Sequence, residues 1–131
     1  MRSFFKKRRT ENLINNAKNY LSVRDYPAAI GLYEQAIAQG NADAMNNRAD
    51  MHYYGQGGPV DYPLAIGLYE QAIAQGNADA MNNRADMHYY GQGGPVDYPL
   101  AIGLYEQAIA QGNADAMNNR ADMHKNGQGG P

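Results

Sequence analysis

From Leu64 to Gly76 the apolar positions Ala65, Ile66, Leu68, Tyr69, Ala72 and Ile73 recur at steps of three and four, with Glu70, Gln71 and Gln75 on the other side. That period predicts a helix with one buried face. Pro63 suits a first helical turn, where its missing N–H has no intrahelical partner, and Asp61 or Tyr62 is the expected cap. Gly67 inside the helix costs about 1 kcal/mol relative to Ala, which close packing must offset. Gly76 is the expected left-handed stop and Asn77 the next N-cap. A second helix then runs to about Tyr90. Its stripe is weaker, because Ala78, Ala80, Met81, Ala85, Met87 and His88 are mixed with Asn82, Asn83, Arg84 and Asp86. Gly91, Gln92, Gly93, Gly94, Pro95 and Val96 form a loop in which Val96 is the expected apolar anchor.

This pattern repeats. Asp25–Val60 and Asp61–Val96 are the same 36 residues apart from Ala28 against Leu64, and Asp97–Pro131 is a third copy with Lys125 and Asn126 where the second has Tyr89 and Tyr90. Self-similarity at such a period marks stacked units, each burying its apolar face against the next. Two short helices with unequal loops predict antiparallel hairpins. The expected fold is all-α, a right-handed α/α superhelical solenoid of about three and a half helix-turn-helix hairpins, seven helices in all. Thr10 is the expected cap of the first helix, which continues through Leu13, Ile14, Ala17, Tyr20 and Leu21. Residues 1–9 are expected to be a disordered basic lead-in. Residues 10–131 then form one solenoid domain: a first hairpin at 10–40, hairpins at 41–76 and 77–112, a capping helix at 113–125 and a tail at 126–131. Lys125 and Asn126 give the last helix the polar outer side that a terminal repeat needs.

Composition adds exclusions. Eleven Lys and Arg against thirteen Asp and Glu leave a formal charge of -2 over 131 residues, so no overall basic field recruits nucleic acid. Only Arg2, Lys6, Lys7, Arg8 and Arg9, beside Phe4 and Phe5, break that balance, and a short charged lead-in is ordinarily a solvated terminus. The segment lacks the apolar run of a secretory signal, and no stretch approaches a membrane span. A soluble chain is expected, cytoplasmic if natural. Cysteine is absent, which removes disulfides, thiol catalysis and Cys-based metal sites.

The spacing Ala44, Arg48, Ala49, His52, Gly55, Gly57, then Asp61, Ala65, Tyr69, Ala72, Gln75 and Gly76 resembles the Sel-one-like repeat, a relative of the tetratricopeptide repeat with a longer loop inside the hairpin. The resemblance covers Ala42 to Pro131. The first hairpin, with Ala17, Tyr20, Asp25, Tyr26, Ala29, Ile30, Tyr33 and Ala36, resembles a plain tetratricopeptide unit with its shorter turn. Arg48, Ala49 and His52, with their equivalents Arg84, Ala85, His88 and Arg120, Ala121, His124, stand where the family usually has Leu, Gly and Tyr. An arginine at such a position must find a carboxylate or carbonyl, or snorkel outward.

What the resemblance implies is a non-enzymatic scaffold that holds a protein or peptide, often on the concave face made by the first helix of each hairpin. By position, the concave candidates are Asn46, Asp50 and Tyr53, then Asn82, Asp86 and Tyr89, then Asn118, Asp122 and Lys125. Asn amides bond an extended peptide backbone, tyrosines offer rigid contact area, and the Asp row favours a basic ligand. Asp50 and Asp86 stand where carboxylate-clamp tetratricopeptide proteins have Asn, which argues against capture of a ligand's C-terminal carboxylate.

Other chemistry is disfavoured. His52, His88 and His124 are separated by helix-packing distances of roughly 8–10 Å, too far for one zinc ion. The Gly-Gln-Gly-Gly-Pro loops lack the Lys and Ser or Thr of a phosphate cradle. With Ser3 and Ser22 the only serines, no nucleophile has a matched base, so neither an enzyme nor a cofactor or metal is expected. Two further accounts stay open. Near-identity of the copies fits an engineered or recently duplicated structural array without a specific ligand. Exposed array ends would allow weak self-association of an otherwise monomeric chain.

Overall fold

The computed structural model describes residues 2–129, so Met1 of the lead-in and Gly130 and Pro131 of the tail lie outside the described residues. Seven helices and no strand occur among those described: α1 (Arg2–Ser22), α2 (Tyr26–Ala38), α3 (Ala42–Tyr54), α4 (Tyr62–Ala74), α5 (Ala78–Tyr90), α6 (Tyr98–Ala110) and α7 (Ala114–Lys125). The chain divides into two compact units, Met1–Leu68 and Tyr69–Pro131, with the boundary inside α4.

Local chemistry sets the boundaries. Asp25, Asp61 and Asp97 accept from the backbone N–H three residues on, and Asn41, Asn77 and Asn113 do the same at 2.9 Å. Each satisfies an amide that the first helical turn leaves unpaired. The turns at Gly40, Gly76 and Gly112 have φ of 79°, 84° and 84°, the left-handed conformation that favours glycine. Gly55 and Gly91 cap α3 and α5 in the same conformation, each N–H bonding Met51 or Met87. The second glycine of the loop has another reason to be glycine: a Cβ at Gly57 would lie 2.7 Å from Ile30 Cδ1, so the loop folds directly onto α2.

In the first unit Ile14 and Ala17 of α1, Ala29, Tyr33 and Ala36 of α2, and Ala44 and Met51 of α3 form one cluster. In the second, Met81 and Ala85 of α5, Ala101, Tyr105 and Ala108 of α6, and Ala116 and Met123 of α7 do the same. The alanines are fully buried and admit close helix approach, while the tyrosines and methionines fill the volume. The amphipathic face read from the apolar spacing is therefore the packed face.

Three expectations need correction. The segment expected to be a disordered lead-in is helical through Arg9, and Thr10 is not a cap: its Oγ1 donates to Lys6 O at 3.0 Å and contacts Gln39 Oε1. Lys and Arg are good helix formers, so a helix seated from Thr10 onward extends back through them. Val96 is 53% exposed, not an anchor, because the loop lays it over the cap glycine and not into the core. Asn46 and Asn82, expected on an open face, are each only 6% exposed.

Candidate functional site

Each repeat's second helix carries a polar stripe, and the second unit shows what that stripe does. Asn82 Oδ1 accepts from Asn119 Nδ2 at 3.0 Å, and the same amide donates to Asp86 Oδ1 at 3.2 Å. Asp86 also accepts from the Tyr105 hydroxyl. The Tyr89 hydroxyl donates to Gln128 Oε1 at 2.7 Å, and Gln128 Nε2 donates to the Tyr98 hydroxyl at 3.3 Å. Tyr89 packs its ring 4.7 Å from Tyr90 and 5.5 Å from Tyr98. Three of the expected ligand contacts, Asn82, Asp86 and Tyr89, are thus engaged by the repeat that follows them.

In the first unit Asp50 is half-buried, and its charge acts on Tyr33. Tyr53 packs 4.8 Å from Tyr54 and 5.5 Å from Tyr62. On α7, Asn118, Asp122 and Lys125 are all exposed.

The structure gathers a different set around one open polar cleft of about 270 Å³, lined by Asp86, Tyr89, Tyr90, Tyr105, Asn119, Asp122 and Asn126. Asp86, Tyr89 and Asp122 were among the expected residues; Asn118 and Lys125 do not line it. Sequence reasoning passed over Asn119 and Asn126, although 119, 122 and 126 share a helical stripe at steps of three and four. It took the adjacent stripe, 118, 122 and 125, because the register of α7 against α5 is not written in the spacing. The cleft is below the roughly 300–1,000 Å³ of small-molecule pockets, and its polar lining suits an inserted side chain or a short peptide segment.

Burial raises the Asp86 carboxyl above its ordinary value; the Tyr105 hydrogen bond opposes that, and Asp115 adds to it. Tyr105 is pushed far up by burial, then by its bond to Asp86 and that group's charge. Its counterpart Tyr33 is also raised by burial and by the charge of Asp50, yet its hydroxyl has no hydrogen-bond partner.

The arginines at normally apolar positions do find carboxylates. Arg48, Arg84 and Arg120 meet Glu34, Glu70 and Glu106 at 3.1, 2.9 and 3.1 Å, each arginine mostly covered and each glutamate about half exposed. The partners lie one helix back on the hairpin, so each pair ties the two helices together. Arg48 and Arg84 also bear on the neighbouring histidines. Burial lowers the His52 and His88 pKa values first, the nearby guanidinium lowers them further, and Asp61 and Glu34, or Asp97 and Glu70, partly oppose the shift. A depressed folded pKa means the unfolded chain binds protons more readily, so this contribution is full above the ordinary value of 6.5 and is lost as pH falls below it. Thermal melts at about pH 7.5 and pH 5.5 should therefore show acid destabilisation, reduced in a His52→Gln, His88→Gln variant. An equal pH dependence in the variant would contradict it.

No group of three or more His, Asp or Glu residues able to hold a metal occurs among the described residues, and none of their helices is long and apolar enough to cross a membrane.

Comparison with known proteins agrees with the hairpin geometry. The Sel1 repeat model matches residues 42–77, 78–113 and 114–131, and a tetratricopeptide repeat model matches 14–57. A solved protective antigen present in uropathogenic Escherichia coli strains, displaying an SLR fold, superposes with a TM-score of 0.81 at 25% identity, covering 95% of this chain and 28% of its own. A Sel1 repeat protein from Oxalobacter formigenes gives 0.80 at 23% identity, covering 89% of this chain and 48% of its own. The chain thus spans less than half the length of either structure. No curated protein matches it.

Proposed function

The chain belongs to the Sel1 repeat family, whose fold is a helical-hairpin solenoid, and from that premise we propose that it is a non-enzymatic scaffold that receives a basic peptide segment of a protein partner. The observation that carries this reading is the polar cleft, where Asp86 and Asp122 stand beside the exposed Tyr90, 65% accessible. Two carboxylates favour a Lys or Arg side chain, and an accessible tyrosine adds rigid contact area and a cation–π face. Asn126 lines the same cleft, where its side-chain amide can meet peptide backbone, while the Asn119 amide is already engaged by Asn82 and Asp86.

The test uses positions the repeat junction does not consume. Arg- and Lys-rich peptides titrated into the chain should bind saturably, weaken as salt is raised, and lose about fivefold or more in affinity in a Tyr90→Ala, Asp122→Asn variant. Equal binding by the variant, or none by the wild type, would sink the reading.

A second reading has its own observation. The copies are nearly identical, and Asn82, Asp86 and Tyr89 hydrogen-bond within the array. Both facts fit an engineered or recently duplicated structural array with no ligand of its own, for which every peptide titration would be flat.

A further inference from the structure

Asp25–Val60 and Asp61–Val96 differ at one position, Ala28 against Leu64, and the third copy again has leucine, Leu100. The difference follows the loop. α2 is entered through the short turn at Val23, Arg24 and Asp25, whereas α4 and α6 are entered through the Gly-Gln-Gly-Gly-Pro loops. Leucine stands where such a loop precedes the helix, yet the core does not use it: Leu64 and Leu100 are each 52% exposed. Each leucine instead borders an open pocket, of about 140 Å³ in the first unit and about 170 Å³ in the second. Arg48, His52, Gly58, Pro59 and Leu64 line the first, and their counterparts 36 positions on line the second. Gly58 and Gly94 have no internal reason to be glycine. Neither has the left-handed φ of Gly55 and Gly57, and a Cβ at either would meet nothing within 4 Å. A glycine that neither backbone nor packing demands leaves room for another molecule to approach the chain closely.

We infer that each of these two pockets receives an aromatic side chain of a partner polypeptide, its ring lying between the loop backbone at Gly58 or Gly94 and the leucine that borders it. Pro59 and Leu64 supply apolar walls, and Met51 a polarizable sulfur that favours contact with a ring. Arg48 meets Glu34, and Arg84 meets Glu70, through Nε. Those bonds run in the plane of the guanidinium, so its face stays available to cover a ring. Burial and the neighbouring guanidinium lower the His52 and His88 pKa values, so both imidazoles are neutral at pH 7 and suit an uncharged guest. Both volumes fall below the roughly 300–1,000 Å³ of small-molecule pockets and suit one side chain. The loop is set before anything binds. Gln56 N–H donates to Met51 O and Asp61 N–H to His52 O, both at 2.8 Å, and Gln92 and Asp97 repeat the pattern at 2.9 and 2.8 Å. No described residue lines both one of these pockets and the polar cleft.

Saturation-transfer NMR on the full chain tests this with N-acetyl-phenylalanine methylamide, a probe that carries one aromatic ring between two peptide groups. Saturable transfer to its ring protons is expected. Affinity should fall about fivefold or more in a Gly58→Leu, Gly94→Leu variant, whose new side chains occupy the pockets, and in a Leu64→Ala, Leu100→Ala variant, which copies Ala28. Both variants should melt as the wild type does by circular dichroism, since the glycines have open space and the leucines are half exposed. The Tyr90→Ala, Asp122→Asn variant should keep its full affinity for the probe, so these pockets and the cleft reading fail separately. Absence of saturable binding, or equal binding by the wild type and the Gly58→Leu, Gly94→Leu variant, overturns the proposal. Equal affinity for N-acetyl-leucine methylamide assigns the pockets to an aliphatic side chain and overturns the stated occupant.

Discussion

Ala85→Glu should destabilise the second unit by about 3 to 5 kcal/mol, while Ala121→Glu, the same change at the same repeat position 36 residues later, should alter stability by no more than about 0.5 kcal/mol. Ala85 has no exposed surface and packs with Met81, Ala101 and Tyr105. A glutamate there overfills the space between α5 and α6 and buries a carboxylate without a partner. Helix propensity does not enter, since Glu is a good helix former and the substitution is the same in both helices. Ala121 faces outward, so its glutamate stays in water. Urea denaturation of the two variants beside the wild type makes the comparison, and similar losses in both would overturn the assignment of the two faces.

Tyr105→Ala should cost about 3 to 5 kcal/mol, because the ring is 2% exposed among Met81, Ala85, Ala108 and Ala116 and small neighbours cannot collapse into the space. Tyr105→Phe isolates the hydroxyl. It keeps the ring, removes the bond to Asp86 and leaves that carboxylate with Asn119 alone, a loss of about 1 to 2 kcal/mol. The pH dependence separates the two effects further. The folded pKa of Tyr105 lies above its ordinary value of 10.0, so its contribution is full below pH 10 and declines above it as the unfolded tyrosine ionises. Tyr105→Phe should therefore lose less stability between about pH 8 and pH 10.5 than the wild type does, with Tyr33 retaining part of the alkaline loss. Denaturant midpoints at both pH values test this; parallel declines would contradict it.

Much of the local architecture was legible because it depends on short-range chemistry. Pro63 after Asp61, Gly76 before Asn77 and the three- and four-residue spacing of Ala65, Tyr69 and Ala72 each act within a turn or two of chain. The need of Arg48, Arg84 and Arg120 for a carboxylate followed from the cost of burying a charge, although which glutamate answers it depended on hairpin geometry. The candidate site was legible only in part. Asp86, Tyr89 and Asp122 do border a cleft, but Asn82 is covered, and Asn119, Tyr90 and Asn126 complete the lining. A stripe of polar residues on a helix has the same spacing whether it faces a ligand, water or the next repeat.

By itself, then, the sequence determined the repeat, the seven helices, the N-caps of the six that follow the first and the apolar faces that must be buried, because these follow from periodicity and from backbone groups that need partners nearby. Tertiary structure alone decided that the lead-in continues the first helix, that the Asn82, Asp86 and Tyr89 row is spent on the next repeat, and that its counterpart on α7 is open. Identical residues meet different fates there because burial belongs to the neighbour, and a residue 36 positions from its twin has a different neighbour.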